Sequence, residues 1–247
     1  MMWLRKHLSA VRDERGVTLV ELVVVVSLLG VILTFVTRGL VSMQNASVGQ
    51  SLRLQNLDEG RTIMNTISRD LRTAARLTPT TSPFDVTAGS VPAAGFGNAP
   101  PYAGLNEVWF YANLTLSATP TPCPDVVHLY VDTSANPPVM KEQTLPANAG
   151  GAPPTCAYTG SYTTRFVGKY LVNSNVLPVF SYYYDNAGTP AVFATTSVPL
   201  SATDRLSVNA VGITLSIRQS TNFSVPATTL VNRVFLPNVD YNPIPGG

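Results

Sequence analysis

The chain has 247 residues, of which 12% are charged, and a formal net charge of +2. That length accommodates one sizeable domain plus an accessory element. Residues 1–77 hold 10 of the 16 Lys+Arg and 6 of the 14 Asp+Glu, so the remaining 170 residues carry a net of −2, which argues against nucleic acid as a partner because such proteins need a concentrated basic face.

Residues 1–16 form a short, basic, polar leader containing Arg5, Lys6, Arg12 and Arg15. The apolar run Val17–Thr37 follows. Its 21 residues would span roughly 31 Å as a helix, close to the ~30 Å hydrocarbon core of a bilayer. Val23–Val26 favour a strand in water, but in lipid the backbone must satisfy itself and the helix wins. The basic leader keeps the N-terminus cytoplasmic and directs the C-terminal part outward. Three readings compete. A conventional cleaved secretory signal needs a shorter apolar run and a small-x-small cleavage site, whereas Arg38-Gly39-Leu40-Val41-Ser42-Met43 follows here. A permanent signal anchor has no use for the carboxylate of Glu21, which is costly in lipid. The third reading is cleavage before the run, after Gly16. That cut would free the α-amino group of Val17, and Glu21, one helical turn along, could neutralise it on its own or a neighbouring chain. Otherwise Glu21 is a tolerated glutamate that snorkels to the interface.

Gly16-Val17-Thr18-Leu19-Val20-Glu21-Leu22 resembles the type III signal of the type IV pilin and pseudopilin superfamily. The resemblance implies cleavage after Gly16 by a membrane prepilin peptidase, N-methylation of Val17, and a role for Glu21 in assembly. Gly30 also falls where many members carry glycine. Val17 departs from the commonest first residue, phenylalanine. Arg38 stands where many major pilins have a proline, which leans towards a pseudopilin or a minor pilin. Cleavage would leave 12 basic and 12 acidic residues.

Beyond the membrane segment, Leu57, Met64, Ile67, Leu71 and Ala74 recur on one helical face, with Asp58, Arg61, Arg69, Arg72 and Arg76 opposite. Thr78-Pro79 is the expected stop. The pattern predicts either one helix from about Val17 to Arg76, or a membrane helix, a polar hinge and a separate amphipathic helix. Gly39, Asn45, Gly49 and Gly60 leave both open.

From residue 78 onward the chain is rich in Thr, Ser, Asn, Pro, Gly, Val and Tyr, the composition of an extracytoplasmic β domain. Val127, Leu129 and Val131 alternate with His128, Tyr130 and Asp132. Val211, Ile213, Leu215 and Ile217 alternate with Gly212, Thr214, Ser216 and Arg218. Both runs predict half-buried antiparallel strands. Glu107–Tyr111, Arg165–Leu171, Val179–Tyr184 and Leu230–Leu236 are further strands, and Asp185-Asn186-Ala187-Gly188 is a hairpin turn. Residues 78–104, 117–125 and 146–161 read as loops. The predicted class is α+β: a pilin-like fold with a long N-terminal helix, transmembrane in its first half, packed on a C-terminal antiparallel sheet. The boundaries are 1–16 leader, 17–37 membrane and assembly helix, 38–77 amphipathic continuation and 78–247 globular domain. Ile67-Ser68-Arg69-Asp70-Leu71-Arg72-Thr73-Ala74, the Pro178–Gly188 stretch and Val208–Ile217 resemble J-type minor pseudopilins of type II secretion and PilW-like minor type IV pilins.

Cys123 and Cys156 are the only cysteines. An even count in an exported chain predicts one disulfide, since only His7 and His128 could complete a zinc site. No catalytic constellation and no cofactor motif is present. His7 lies in the leader, and His128 is expected as a solvated residue on a polar strand face. Asp185-Asn186 could help hold calcium, though a turn explains them equally. Tyr182–Tyr184 could form an adhesive surface. The triplets headed by Asn45, Asn113 and Asn222 are incidental in a prokaryote.

The reading that follows is a structural subunit, not an enzyme. It is a minor pilin or pseudopilin of a type IV pilus or type II secretion pseudopilus, acting in filament initiation or at the tip. Its implied partners are other pilin subunits, prepilin peptidase, the membrane and an inner-membrane assembly platform. The alternative is an exported, membrane-anchored module that recognises a surface or DNA as part of a pilus.

Overall fold

A computed structural model describes residues 17–78, 80–86, 103–114, 123–148, 151, 155–186, 189–194, 197–219 and 225–237. Its contacts divide the chain into two units, Met1–Gln50 and Ser51–Gly247. Helix α1, Leu19–Arg72, is one uninterrupted element of 54 residues. The hinge alternative is therefore not what the chain adopts.

Within the second unit, α1 buries Asn56, Gly60, Ile63, Met64, Ile67, Ser68, Asp70 and Leu71. Asp58, Arg61, Arg69 and Arg72 stay exposed, as the amphipathic pattern predicts. The helix ends at Arg72, short of Thr78-Pro79, because its last turn is recruited by the first strand. Thr73 N and Thr73 Oγ1 both donate to Asp70 O, at 3.1 and 2.7 Å. Ala75 N then donates to Tyr111 O at 2.8 Å and Asn113 N to Thr73 O at 3.0 Å. Backbone bonding to a strand end thus replaces one further helical turn.

Strands β1 (Glu107–Ala112), β2 (Asp125–Asp132), β3 (Val139–Leu145) and β4 (Thr163–Lys169) form one antiparallel sheet in that order. A second antiparallel sheet has the order β6 (Thr189–Val192), β5 (Phe180–Asn186), β7 (Val208–Ile217) and β8 (Thr228–Phe235). A short helix, α2 (Ala202–Ser207), precedes β7. The expected antiparallel β-sheet domain is thus built of two sheets, and they meet where the chain leaves β4. Tyr170 takes a left-handed φ of 67°, strained for a non-glycine residue, and the chain turns to pair with the end of β7. Leu171 bridges Ile217, Val172 N donates to Ser216 O at 2.9 Å, and Arg218 N donates to Tyr170 O at 3.0 Å.

Helix α1 packs against both sheets. A Cβ on Gly168 would sit 2.3 Å from Ile63 Cγ1, and one on Gly60 would sit 2.6 Å from Leu230 Cδ1. Only glycine permits these approaches of helix to strand. Asn232 Nδ2 donates to Ser68 Oγ at 3.1 Å, Lys169 N to Glu59 Oε1 at 2.8 Å, and Gln219 N to Asn56 Oδ1 at 3.0 Å.

The main core joins Ile63, Ile67 and Leu71 to Val108, Phe110, Leu129, Phe180, Tyr182, Ile213 and Leu215. A second cluster gathers Val86, Trp109, Tyr111, Cys123, Val126, Leu145, Cys156 and Tyr158. The register pairs Tyr111 with Val126 and Val126 with Leu145, which puts this cluster on the opposite face of the first sheet from Phe110, Val127 and Leu129. That sheet is therefore covered on both sides over much of its area, and the half-buried alternation expected for Val127–Asp132 fails. Residues Asp125 to Leu129 are all buried.

Candidate functional site

Thr18 stands immediately before α1. Its Oγ1 accepts from Glu21 N at 3.2 Å, and its carbonyl accepts from Leu22 N at 3.1 Å. Threonine caps helices in this way because it satisfies one of the free first-turn N–H groups. The cap fixes where the helix begins and places Glu21 in its first turn. A carboxylate there is favoured by the positive end of the helix dipole. Val17 is 69% exposed, and Glu21 has no ion-pair partner among the described residues. Gly16, the expected cleavage position, and His7 lie outside the described residues.

The rest of the run is built for an apolar environment. By length and composition α1 is apolar enough to cross a membrane, and none of its apolar window is buried among the described residues. Its hydroxyls turn inward to the backbone. Ser27 Oγ donates to Val23 O at 2.8 Å, Thr34 Oγ1 to Gly30 O at 2.8 Å, and Thr37 Oγ1 to Leu33 O at 2.9 Å. Each bond removes a polar cost that lipid would otherwise impose.

Cys123 and Cys156 are bonded, with Cα atoms 5.7 Å apart and a sequence separation of 33. Tyr158 Oη donates to Pro124 O at 2.7 Å beside the bridge. Together they hold a loop over Trp109 and Tyr111.

His128 requires a correction. It is buried, not solvated. Its ring lies between Trp109, 3.8 Å away at 13°, and Tyr130, 4.5 Å away at 14°. Nδ1 is 3.1 Å from Gln143 Oε1 and Nε2 is 3.2 Å from Glu107 Oε2. The face of β2 that reads as polar is thus an aromatic ladder with its polar atoms paired across strands. The calcium reading at Asp185 and Asn186 rests on side chains outside the described residues, although the backbone pairing of Asn186 with Thr189 is that of a hairpin. No group of three or more His, Cys, Asp or Glu able to hold a metal ion occurs among the described residues.

One charged cluster was not foreseen. Asp70, fully buried at the end of α1, receives bonds from Arg69 Nε and Nη2 at 3.1 and 3.0 Å. Arg165 of β4 is 3.6 Å from Asp70 and bonds Glu142 of β3. A cleft lined by Arg69, Asp70, Thr73, Asn113, Leu114, Glu142 and Arg165 opens beside it. The sequence did carry a signal, since Asp70 falls on the buried arc between Ile67 and Leu71. Burial first, and the facing Glu142 second, push the Asp70 carboxyl up to about 7, against the opposing pull of Arg69.

The folded chain therefore holds a proton that the unfolded chain has released above about pH 4. This contribution to stability is complete below the unfolded value and is lost as pH rises through about 7. Denaturant unfolding followed by near-ultraviolet circular dichroism is expected to show stability falling between about pH 5 and about pH 8, by an amount on the order of 2–4 kcal/mol. Asp70→Asn is expected to flatten that slope and to be the more stable chain at about pH 8. An unchanged slope in Asp70→Asn would contradict this account.

Residues 11–37 match the family described as the prokaryotic N-terminal methylation motif. No curated protein matches the chain. The motif supports the type IV pilin and pseudopilin class. The uncovered apolar helix near the N-terminus fits the single-pass membrane anchor typical of prepilins.

Proposed function

We propose that the chain is a prepilin-type minor subunit, inserted in the inner or cytoplasmic membrane and built into a type IV pilus or type II secretion pseudopilus. Prepilin peptidase cuts between Gly16 and Val17, and the new terminus at Val17 is methylated. Residues 17–37 then form the fibre core, residues 38–77 continue the helix, and residues 78–247 fold outside the cytoplasmic membrane. Glu21 neutralises the α-amino group of Val17, its own or a neighbour's, as subunits enter the filament. The role is filament initiation or the tip position, and the subunit works by packing rather than by chemistry.

The observation that carries this reading is the capped helix start, in which Glu21 has no ion-pair partner among the described residues and stands one turn from Val17 inside the matched motif. A charge at the head of a membrane helix needs a partner, and cleavage creates one at the required distance. The disulfide supports the outward placement of the globular part, because such bonds persist in oxidising compartments.

Mass spectrometry of the mature protein tests the processing step. The expected terminus is N-methylated Val17. An intact leader, or a terminus beyond residue 40, would overturn the proposal.

A further inference from the structure

The first sheet carries a pocket whose chemistry the filament reading does not use. It lies where β1 and β2 meet the segments around Asn175 and Val198, and has a volume of about 380 Å³. Glu107, Tyr130 and Asn175 supply its polar and aromatic lining, and Leu105, Val131 and Val198 supply apolar walls.

Glu107 is the unusual member. Its side chain is 37% exposed, so its carboxylate is neither buried nor fully in water. Among the described residues the only side chain bonded to it is His128, at 3.2 Å through Oε2. Among the described residues no lysine or arginine forms an ion pair with it. Lys141, on the neighbouring β3, is committed to Asp132 at 2.7 Å. Behind the carboxylate the support is rigid. His128 is buried, clamped between Trp109 and Tyr130, and held on its other nitrogen by Gln143. Asn175 is held at the rim by Asn106, whose Nδ2 donates to Asn175 Oδ1 at 2.9 Å. The lining thus brings together a carboxylate, an aromatic residue and aliphatic side chains.

We propose that this pocket binds the side chain of an arginine or lysine presented by a partner protein. The cationic head pairs with Glu107 in a charge-assisted bond and lies against the Tyr130 ring as a cation–π contact. The methylene stem packs on Leu105, Val131 and Val198, the way long basic side chains bury their stems while the head stays polar. The single carboxylate and the small volume suit one extended side chain. This inference goes beyond the reading of the N-terminus and does not depend on it.

The test is calorimetric titration of the full chain in detergent micelles. The probes are the blocked amino acids N-acetyl-arginine methylamide, N-acetyl-lysine methylamide and N-acetyl-leucine methylamide, and the free diamine cadaverine. Saturable binding is expected for the two basic blocked residues and not for the leucine analogue. Glu107→Gln, which keeps the shape and the hydrogen bond to His128, is expected to weaken binding at least about tenfold. Asp58→Asn on the exposed helix face is expected to leave it unchanged. Asn175→Asp, a rim change independent of the Glu107 position, adds a second carboxylate and is expected to tighten binding by about threefold. Absence of saturable binding at millimolar probe would overturn the proposal. So would wild-type affinity in folded Glu107→Gln, or no gain from Asn175→Asp. Cadaverine binding as tightly as the blocked residues would overturn the assignment to a protein-borne side chain in favour of a small amine.

Discussion

A chain carrying Glu21→Leu is expected to enter the membrane and to be cut after Gly16, yet to be missing from sheared filaments. The substitution is chosen so that nothing else fails. Leucine is a better helix former and is at home in lipid. The helix start is preserved, because Thr18 Oγ1 bonds the backbone N–H of residue 21 and not its side chain. What is lost is the charge proposed to meet the α-amino group of Val17. Leaving one member of a buried pair without its partner costs roughly 3–5 kcal/mol, enough to reduce incorporation by more than about a hundredfold per subunit if the pair forms in the fibre. Immunoblots of membrane and sheared fractions measure this directly. Normal incorporation of Glu21→Leu would remove the proposed role of Glu21, whereas an uncut chain would point to a peptidase effect instead.

The second large effect concerns the covalent bridge. Removing it through Cys123→Ser with Cys156→Ser is expected to destabilise the globular part by roughly 3–4 kcal/mol, from the chain entropy released when a loop of this size opens. The bridge spans 33 residues of sequence. Because Cys123 and Cys156 belong to the cluster with Trp109, Tyr111 and Tyr158, the loss is expected to be local first. Tryptophan fluorescence from Trp109 should shift to the red at lower denaturant than the far-ultraviolet signal of the strands changes. Coincident transitions at the wild-type midpoint would contradict both the magnitude and the order.

Much of the architecture is written in the sequence, and the failures on the first sheet share a cause. The stripe Leu57, Met64, Ile67, Leu71 repeats at helical spacing, and the helix is there. Strand β3 escaped notice because Lys141, Glu142 and Gln143 stand consecutively in it. Period-two reading assumes that one face of a strand is wet. Here both faces are covered, and Glu142 and Gln143 are buried beside cross-strand partners, Arg165 and His128. The same assumption misplaced His128. Helix α2 was missed for a different reason, since its six residues are held by the Ser201 cap rather than by any apolar face. At the N-terminus the order of residues is itself the signal, and the capped geometry adds the position of Glu21 relative to Val17. Asp70 shows the limit of pattern reading. Its place on the buried arc was legible, but the elevated affinity of its carboxyl for a proton arises first from burial and second from Glu142, on a strand that the pattern did not reveal.

The inward-turned hydroxyls of the apolar run carry a consequence for how such helices could slide past one another. Ser27, Thr34 and Thr37 spend their donors on their own backbone, so a neighbouring helix meets methyl and methylene groups from Leu22 to Val36 and finds nothing to grip at any particular height. Dispersion contacts of that kind are individually weak and carry no charge or hydrogen bond to mark one height. On the proposed reading Glu21 would act as a detent, a notch on an otherwise smooth shaft. A fibre assembled from such shafts would be fixed in stagger by one ionic point per subunit and could stretch along the remainder without breaking a single directional bond.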